Sequence, residues 1–238
     1  MIGVSYFSLF IAVMLTFNPP LRQEGHLWRK PMIGAIFGLI CLLGVAAVFF
    51  PKKSSAMLRL ASGDGGRDLS IGDRNSHGDY PALQGHHPDC IGFSAHVIQI
   101  GDKILCAACT GLLLGAIMTL AGTVLYFYGD LNIAQNSSLA VFVGTVGVGL
   151  GLFQLKFRSF LRLLLNILFV LSSFSILIGI DALTQSLSID LFLVVMIIFW
   201  LFTRILLSEW DHWNICYTCR SPCEIREKRI GQYLRLNP

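Results

Sequence analysis

Six apolar runs carry most of the chain: residues 1–18, 32–50, 105–128, 139–155, 160–180 and 191–207. None alternates with a period of two, so none reads as a half-buried strand, and each is long enough for about 25 Å or more of helix. Runs so poor in charge predict helices that face hydrocarbon. The pattern therefore predicts an all-α polytopic membrane protein with about six transmembrane helices. Asn18-Pro19-Pro20 ends the first run, and Pro51-Lys52-Lys53 closes the second;. The first run lacks both a basic leader and a small-residue cleavage site, so it reads as a helix and not as a removable signal.

One long polar segment interrupts the series, residues 51–104. Its first part, 51–85, is rich in Gly, Ser, Asp and Arg and reads as a flexible linker;. Gly63-Asp64-Gly65-Gly66 has no strand before it and no G-K-[ST] after it, so it is not a phosphate loop;. Its second part, 86–104, holds two β-branched stretches, Val97 to Ile100 and Lys103 to Leu105, about the turn pair Gly101-Asp102, which predicts a β-hairpin;. The expected organisation is a pair of N-terminal helices (1–50), the linker (51–85), a small Cys/His hairpin (86–104), a four-helix bundle (105–209) and a Cys-rich tail (210–238).

Details within the runs refine this picture. Gly111 with Gly115, and Gly147 with Gly151, have the four-residue spacing that lets two helices approach closely;. Cys41, alone in the second run, reads as a small core residue. Arg204 is expected to snorkel to the membrane interface, with Trp210 and Trp213 in an aromatic belt;. Apart from Arg204, no ionisable residue is expected well inside a span, which argues against a transporter.

Composition agrees with the pattern: 54% of residues are hydrophobic and only 13% charged. The net charge of +4 is not gathered into a basic stripe with interleaved aromatics, so no nucleic-acid partner is expected;. The partners implied are the lipid bilayer and, at the polar ends, other membrane or cytoplasmic protein subunits.

The candidate chemistry lies where the polar segment meets the third run. His86, His87, Cys90, His96, Cys106 and Cys109 fall within 24 residues of one another. Cys106 and Cys109, at a predicted helix start, put two thiols on one face, where the dipole and free N–H groups favour the thiolate. A hairpin would fold Cys90 and His96 back toward them. Cys90, Cys106, Cys109 and one of His86, His87 or His96 make the Cys₃His set that zinc favours. The tail carries a second candidate set, His212, Cys216, Cys219 and Cys223. The two sets could instead share one ion, and four thiolates could hold an iron–sulfur cluster. The alternatives to a metal are an ordinary juxtamembrane loop with inert thiols and a redox C-x-x-C.

Basic residues orient the chain. The links 129–138 and 181–190 contain no Lys or Arg, whereas the 156–162 turn and the tail are basic. The positive-inside rule puts the latter two, and by parity the His/Cys loop, on the cytoplasmic face of the cell membrane, where thiols stay reduced. The link 19–31, with Arg22, Arg29 and Lys30, runs against the rule.

Cys90, Phe93, Gly101, Cys106, Cys109, Thr110, Gly111 and Gly115 together resemble the signature of an uncharacterised, archaeal-type family of small prokaryotic membrane proteins, a domain of unknown function. That signature is a cysteine, a hairpin containing Phe, then C-A-R-C-T-G and a glycine-bearing span. Here Ile91 stands where the family commonly has histidine, and Ala108 where it often has arginine. The resemblance covers roughly 30 to 50 residues, excludes the Cys-rich tail and implies no activity. The reading that follows is a membrane scaffold or accessory subunit with structural zinc sites. Its alternatives are a thiol-redox or iron–sulfur electron-transfer protein and, last, a metal or small-solute transporter. No catalytic set stands out, and whether the chain is an enzyme is left open.

Overall fold

The computed structural model describes residues 1–20, 28–49, 96–100, 103–129, 136–154, 157 and 159–218. The described chain is mostly helical, with one two-stranded sheet. Helix α1 spans Ile2–Phe17 and α2 spans Arg29–Phe49. Strands β1 (Val97–Ile100) and β2 (Lys103–Cys106) pair antiparallel, Val97 opposite Cys106 and Ile100 opposite Lys103. Helix α3 (Ala107–Thr123) follows β2 directly and widens into a π-helical turn, Val124–Tyr128. Helices α4 (Ser137–Leu152), α5 (Ser159–Thr184) and α6 (Leu187–Thr218) complete the bundle. The linker 51–85 and the turn pair Gly101-Asp102 lie outside the described residues.

Four helices are long and apolar enough to cross a bilayer: α2, α3 with its π turn, α5 and α6. Helices α1 and α4 are apolar but have 16 residues each, about 24 Å of helix against about 30 Å of hydrocarbon. Outward-facing positions are apolar as well, among them Phe7, Phe10, Leu42, Leu43, Ile117, Val143, Val146 and Val195. A surface of this kind is compatible with lipid as the surrounding solvent.

Helix α5 is the central element: 61% of its apolar window is buried, against 28% to 33% for the other three long helices. Glycines explain how its neighbours reach it. A Cβ at Gly111 would lie 2.5 Å from the Leu163 carbonyl oxygen, and one at Gly144 2.7 Å from that of Ser172. A Cβ at Gly147 would strike the Ser172 side chain, and one at Gly151 would come 2.7 Å from Phe169. The small-residue faces read from the sequence are thus the faces of α3 and α4 that pack on α5. Helix α1 is joined to α6 by hydroxyl contacts: Trp200 Nε1 donates to Ser8 Oγ at 2.7 Å, and Ser5 Oγ donates to Thr203 Oγ1 at 3.1 Å.

Only Gln185 and Ser186 separate α5 from α6, and Gln185 turns the chain with a left-handed φ of 51°;. That joint brings Asp181 and Asp190 to the same end of the bundle as the start of α2 and the π turn. The opposite end gathers the hairpin, the start of α5 and the later turns of α6.

Candidate metal centre

Cys106 is the last residue of β2 and the N-cap of α3, in extended backbone geometry, and Cys109 lies in the helix's first turn. N-cap and N3 side chains meet naturally, and here the two side chains are hydrogen-bonded to each other. Both cysteines are half-buried, and among the described residues neither is in a disulfide. The first amides of α3 have no helical acceptor and point toward the thiols' end of the helix.

Arg204 lies within electrostatic reach of both thiols. It does not snorkel, contrary to the expectation from its place near the end of an apolar run: it is 3% exposed. Its Nη2 donates to Asn166 Oδ1 and, at 3.3 Å, to Gln154 Oε1, and its guanidinium carbon sits 6.0 Å from the Phe169 ring centre. Among the described residues no carboxylate pairs with it. A buried cation demands a counter-charge, and among the described groups within electrostatic reach of Arg204 the two thiols are those that can ionise to a negative charge. Two buried polar atoms of this region, Thr110 Oγ1 and Arg204 Nε, have no hydrogen-bond partner among the described residues.

His96 is placed differently from the thiols. It is buried just before β1, where Arg162 Nη1 donates to its Nδ1. Arg162 Nη2 also donates to Asp211 Oδ2 at 3.1 Å, and His96 Nε2 faces the same oxygen at 3.5 Å. With Nδ1 accepting, the neutral ring carries its proton on Nε2, toward Asp211. This network ties the hairpin to α5 and α6 at the end where Cys106 and Cys109 lie.

Helix α6 continues through Thr218, well past the apolar run that ends at 207. His212 and Cys216 therefore stand on helical backbone, Cys216 about 7.5 Å along the axis beyond Asp211. Their side chains, together with His86, His87, Cys90, Cys219 and Cys223, lie outside what is described. Among the described residues no group of three or more His, Cys, Asp or Glu side chains is arranged to hold a metal. The described part of the candidate centre is the pair Cys106 and Cys109.

A second polar cluster occupies the other end, and the sequence reading missed it. Arg29 Nη1 donates to Asp181 Oδ1 and to Asp190 Oδ2, and Tyr126 Oη donates to Asp181 Oδ2 at 2.6 Å. Asp181 and Asp190 are both 0% exposed and Arg29 is 4% exposed. These residues flank apolar runs and resemble interfacial charges when read singly. The available signal was that Arg29 and Lys30 open one run while Asp181 and Asp190 bracket the gap between two others. Asn166, a lone amide inside an apolar run, was the corresponding signal for the Arg204 cluster.

Comparison with protein-family models, with curated proteins and with solved structures gave no match to this chain.

Proposed function

We propose that this is a multi-pass protein of the cell membrane, crossing six times, in which Cys106 and Cys109 form half of a structural zinc site. The other ligands are Cys90 and His86 or His87, since the His96 ring is engaged by Arg162 and Asp211. The tail set, His212, Cys216, Cys219 and Cys223, either forms a second site or shares the first. The observation that carries the reading is the buried Arg204 beside two hydrogen-bonded thiols, with no carboxylate among the described residues to balance it. A metal thiolate pair is a charge complement that persists in a dry interior.

Zinc bound there would supply a tetrahedral cross-link between segments that are distant along the chain. Cys106 and Cys109 hold one edge of that tetrahedron on the first turn of α3. Arg204 and the amides of α3 offset their negative charge. The network of His96, Arg162 and Asp211 fixes the hairpin so that the preceding segment is delivered to the thiols. A clamped loop and tail would present an ordered surface to a membrane or cytoplasmic partner, which makes the protein a scaffold or accessory subunit.

The thiol end is assigned to the cytoplasm. The sequence of the 156–162 turn and of the tail is basic, whereas the links 129–138 and 181–190 have no Lys or Arg, which supports this assignment by the positive-inside rule;. The main objection weakens, because Arg29 is neutralised inside the bundle by two aspartates and is not an interfacial charge.

Thiol exchange is the second reading, favoured by Cys106 standing reduced at a helix N-terminus in contact with Cys109;. Metal analysis of the protein purified in mild detergent separates the two. Zinc lost on Cys106→Ser supports the clamp. A metal-free protein whose two thiols oxidise reversibly to a disulfide supports exchange, and a visible absorption band would indicate iron and sulfur instead.

A further inference from the structure

Among the described residues, the ionic cluster at the opposite end of the bundle has a charge count that does not close. Arg29 contributes one positive charge, and Asp181 and Asp190 contribute two negative ones, all three side chains being buried. Of the four carboxylate oxygens, three are occupied: Asp181 Oδ1 and Asp190 Oδ2 accept from Arg29, and Asp181 Oδ2 accepts from Tyr126. The fourth, Asp190 Oδ1, is buried without a hydrogen-bond partner among the described residues. Both carboxylates accept from the same nitrogen, Arg29 Nη1, which holds them beside one another.

The described residues of the surrounding elements leave few other sources of positive charge. Helix α2 brings Arg29 and Lys30, but Lys30 is exposed and its ammonium lies over the Tyr126 ring, 4.9 Å from the centroid. The π turn after α3 brings Tyr126 and Tyr128, and the Tyr128 hydroxyl donates to the Pro31 carbonyl at 3.0 Å. Helices α5 and α6 bring Asp181 and Asp190. Helices α1 and α4 bring no titratable side chain to this end. An uncompensated carboxylate in such a place is costly.

We propose that this cluster is a binding site for one proton, carried on Asp190 Oδ1. On loading, an O–H bond forms at Oδ1 and the Asp190 carboxylate becomes the neutral acid. On release the proton leaves to water at that end of the bundle, and the cluster regains a net negative charge beside Arg29. A proton can occupy the gap without a cavity, which a metal ion with its shell of oxygen ligands cannot. This is the chemistry of a proton-loading site in a membrane protein. It is independent of the thiol centre, from which it is separated by the length of α5.

Infrared difference spectroscopy of the full-length protein in nanodiscs tests the proposal. The wild-type protein at neutral pH should show the carbonyl band of a protonated carboxylic acid, shifted in D₂O and lost on alkalisation. Asp190→Asn should abolish it. Should that variant fail to fold, the wild-type titration alone decides. Exchange of sodium for choline at fixed pH should leave the band unchanged. Absence of the band from the wild type at neutral pH, or its persistence in a folded Asp190→Asn protein, overturns the proposal. So does its suppression by sodium, which would assign the missing charge to a metal ion.

Discussion

Arg204 and Asn166 are hydrogen-bonded inside the bundle, guanidinium to side-chain carbonyl, and the Asn166 amide in turn donates to the Arg162 main-chain carbonyl at 2.6 Å. The contact joins α6 to the central helix α5 and sets the Arg204 charge beside the two thiols at the start of α3. One buried amide thus links two helices, serving Arg204 and the Arg162 carbonyl together because it carries a donor and an acceptor at once;.

Replacing Asn166 with Leu keeps the volume and removes both hydrogen bonds, leaving the Arg204 guanidinium under-satisfied. The expected cost is about 1–3 kcal/mol, read as a lowered midpoint of thermal unfolding in detergent. An unchanged midpoint would mean that the bond contributes nothing net.

Replacing Arg204 with Met removes the positive charge and keeps much of the packing. Metal affinity is expected to fall by about 10–100-fold, the usual effect of losing a group that supports the ligands. Competition with a graded series of chelators measures it. Equal affinity in the variant would separate Arg204 from the thiol centre.

His96 should behave unlike His86 and His87. His96→Ala deletes the acceptor for Arg162 and the partner of Asp211, so amide exchange in β1 and β2 should quicken while zinc is retained. Changing His86 and His87 together to Ala should release zinc. Zinc lost from His96→Ala and kept in the double variant would reverse this assignment.

The glycines allow a graded test of packing. Gly111→Leu places side-chain atoms against the Leu163 carbonyl and should destabilise by about 1–3 kcal/mol or more. Gly44 has open space around its Cβ position, and Gly44→Ala should be neutral or stabilising by about 0.5–1 kcal/mol. Unfolding curves of the two variants side by side give the comparison.

Hydropathy alone made the helices legible, because a charge-free run has few other places to go. The hairpin was legible from Gly101-Asp102 between two β-branched stretches, and the close faces of α3 and α4 from glycine spacing. What escaped was long-range pairing of charge. Arg29 meets Asp181 across 152 positions and Asp190 across 161, and each of the three, seen singly, sits at the edge of an apolar run as an interfacial residue does. Arg204 misled for the same reason: a basic residue near a helix end reads as snorkelling unless its amide partner on another helix is known. Reading the runs for ionisable groups well inside a span found Arg204 alone and did not foresee that Arg29, Arg162, Asp181 and Asp190, near the helix ends, are buried. The continuation of α6 through Thr218 was hidden by the polar, Cys-rich character of 210–218, which resembles a loose tail.

Elemental analysis of the full-length protein, purified reduced in mild detergent, tests the thiol centre most directly when wild type is compared with Cys106→Ser and Cys109→Ser. The account predicts zinc in stoichiometric amount in the wild type and its loss in both variants. A wild-type protein free of metal, with Cys106 and Cys109 both open to alkylation, would contradict it.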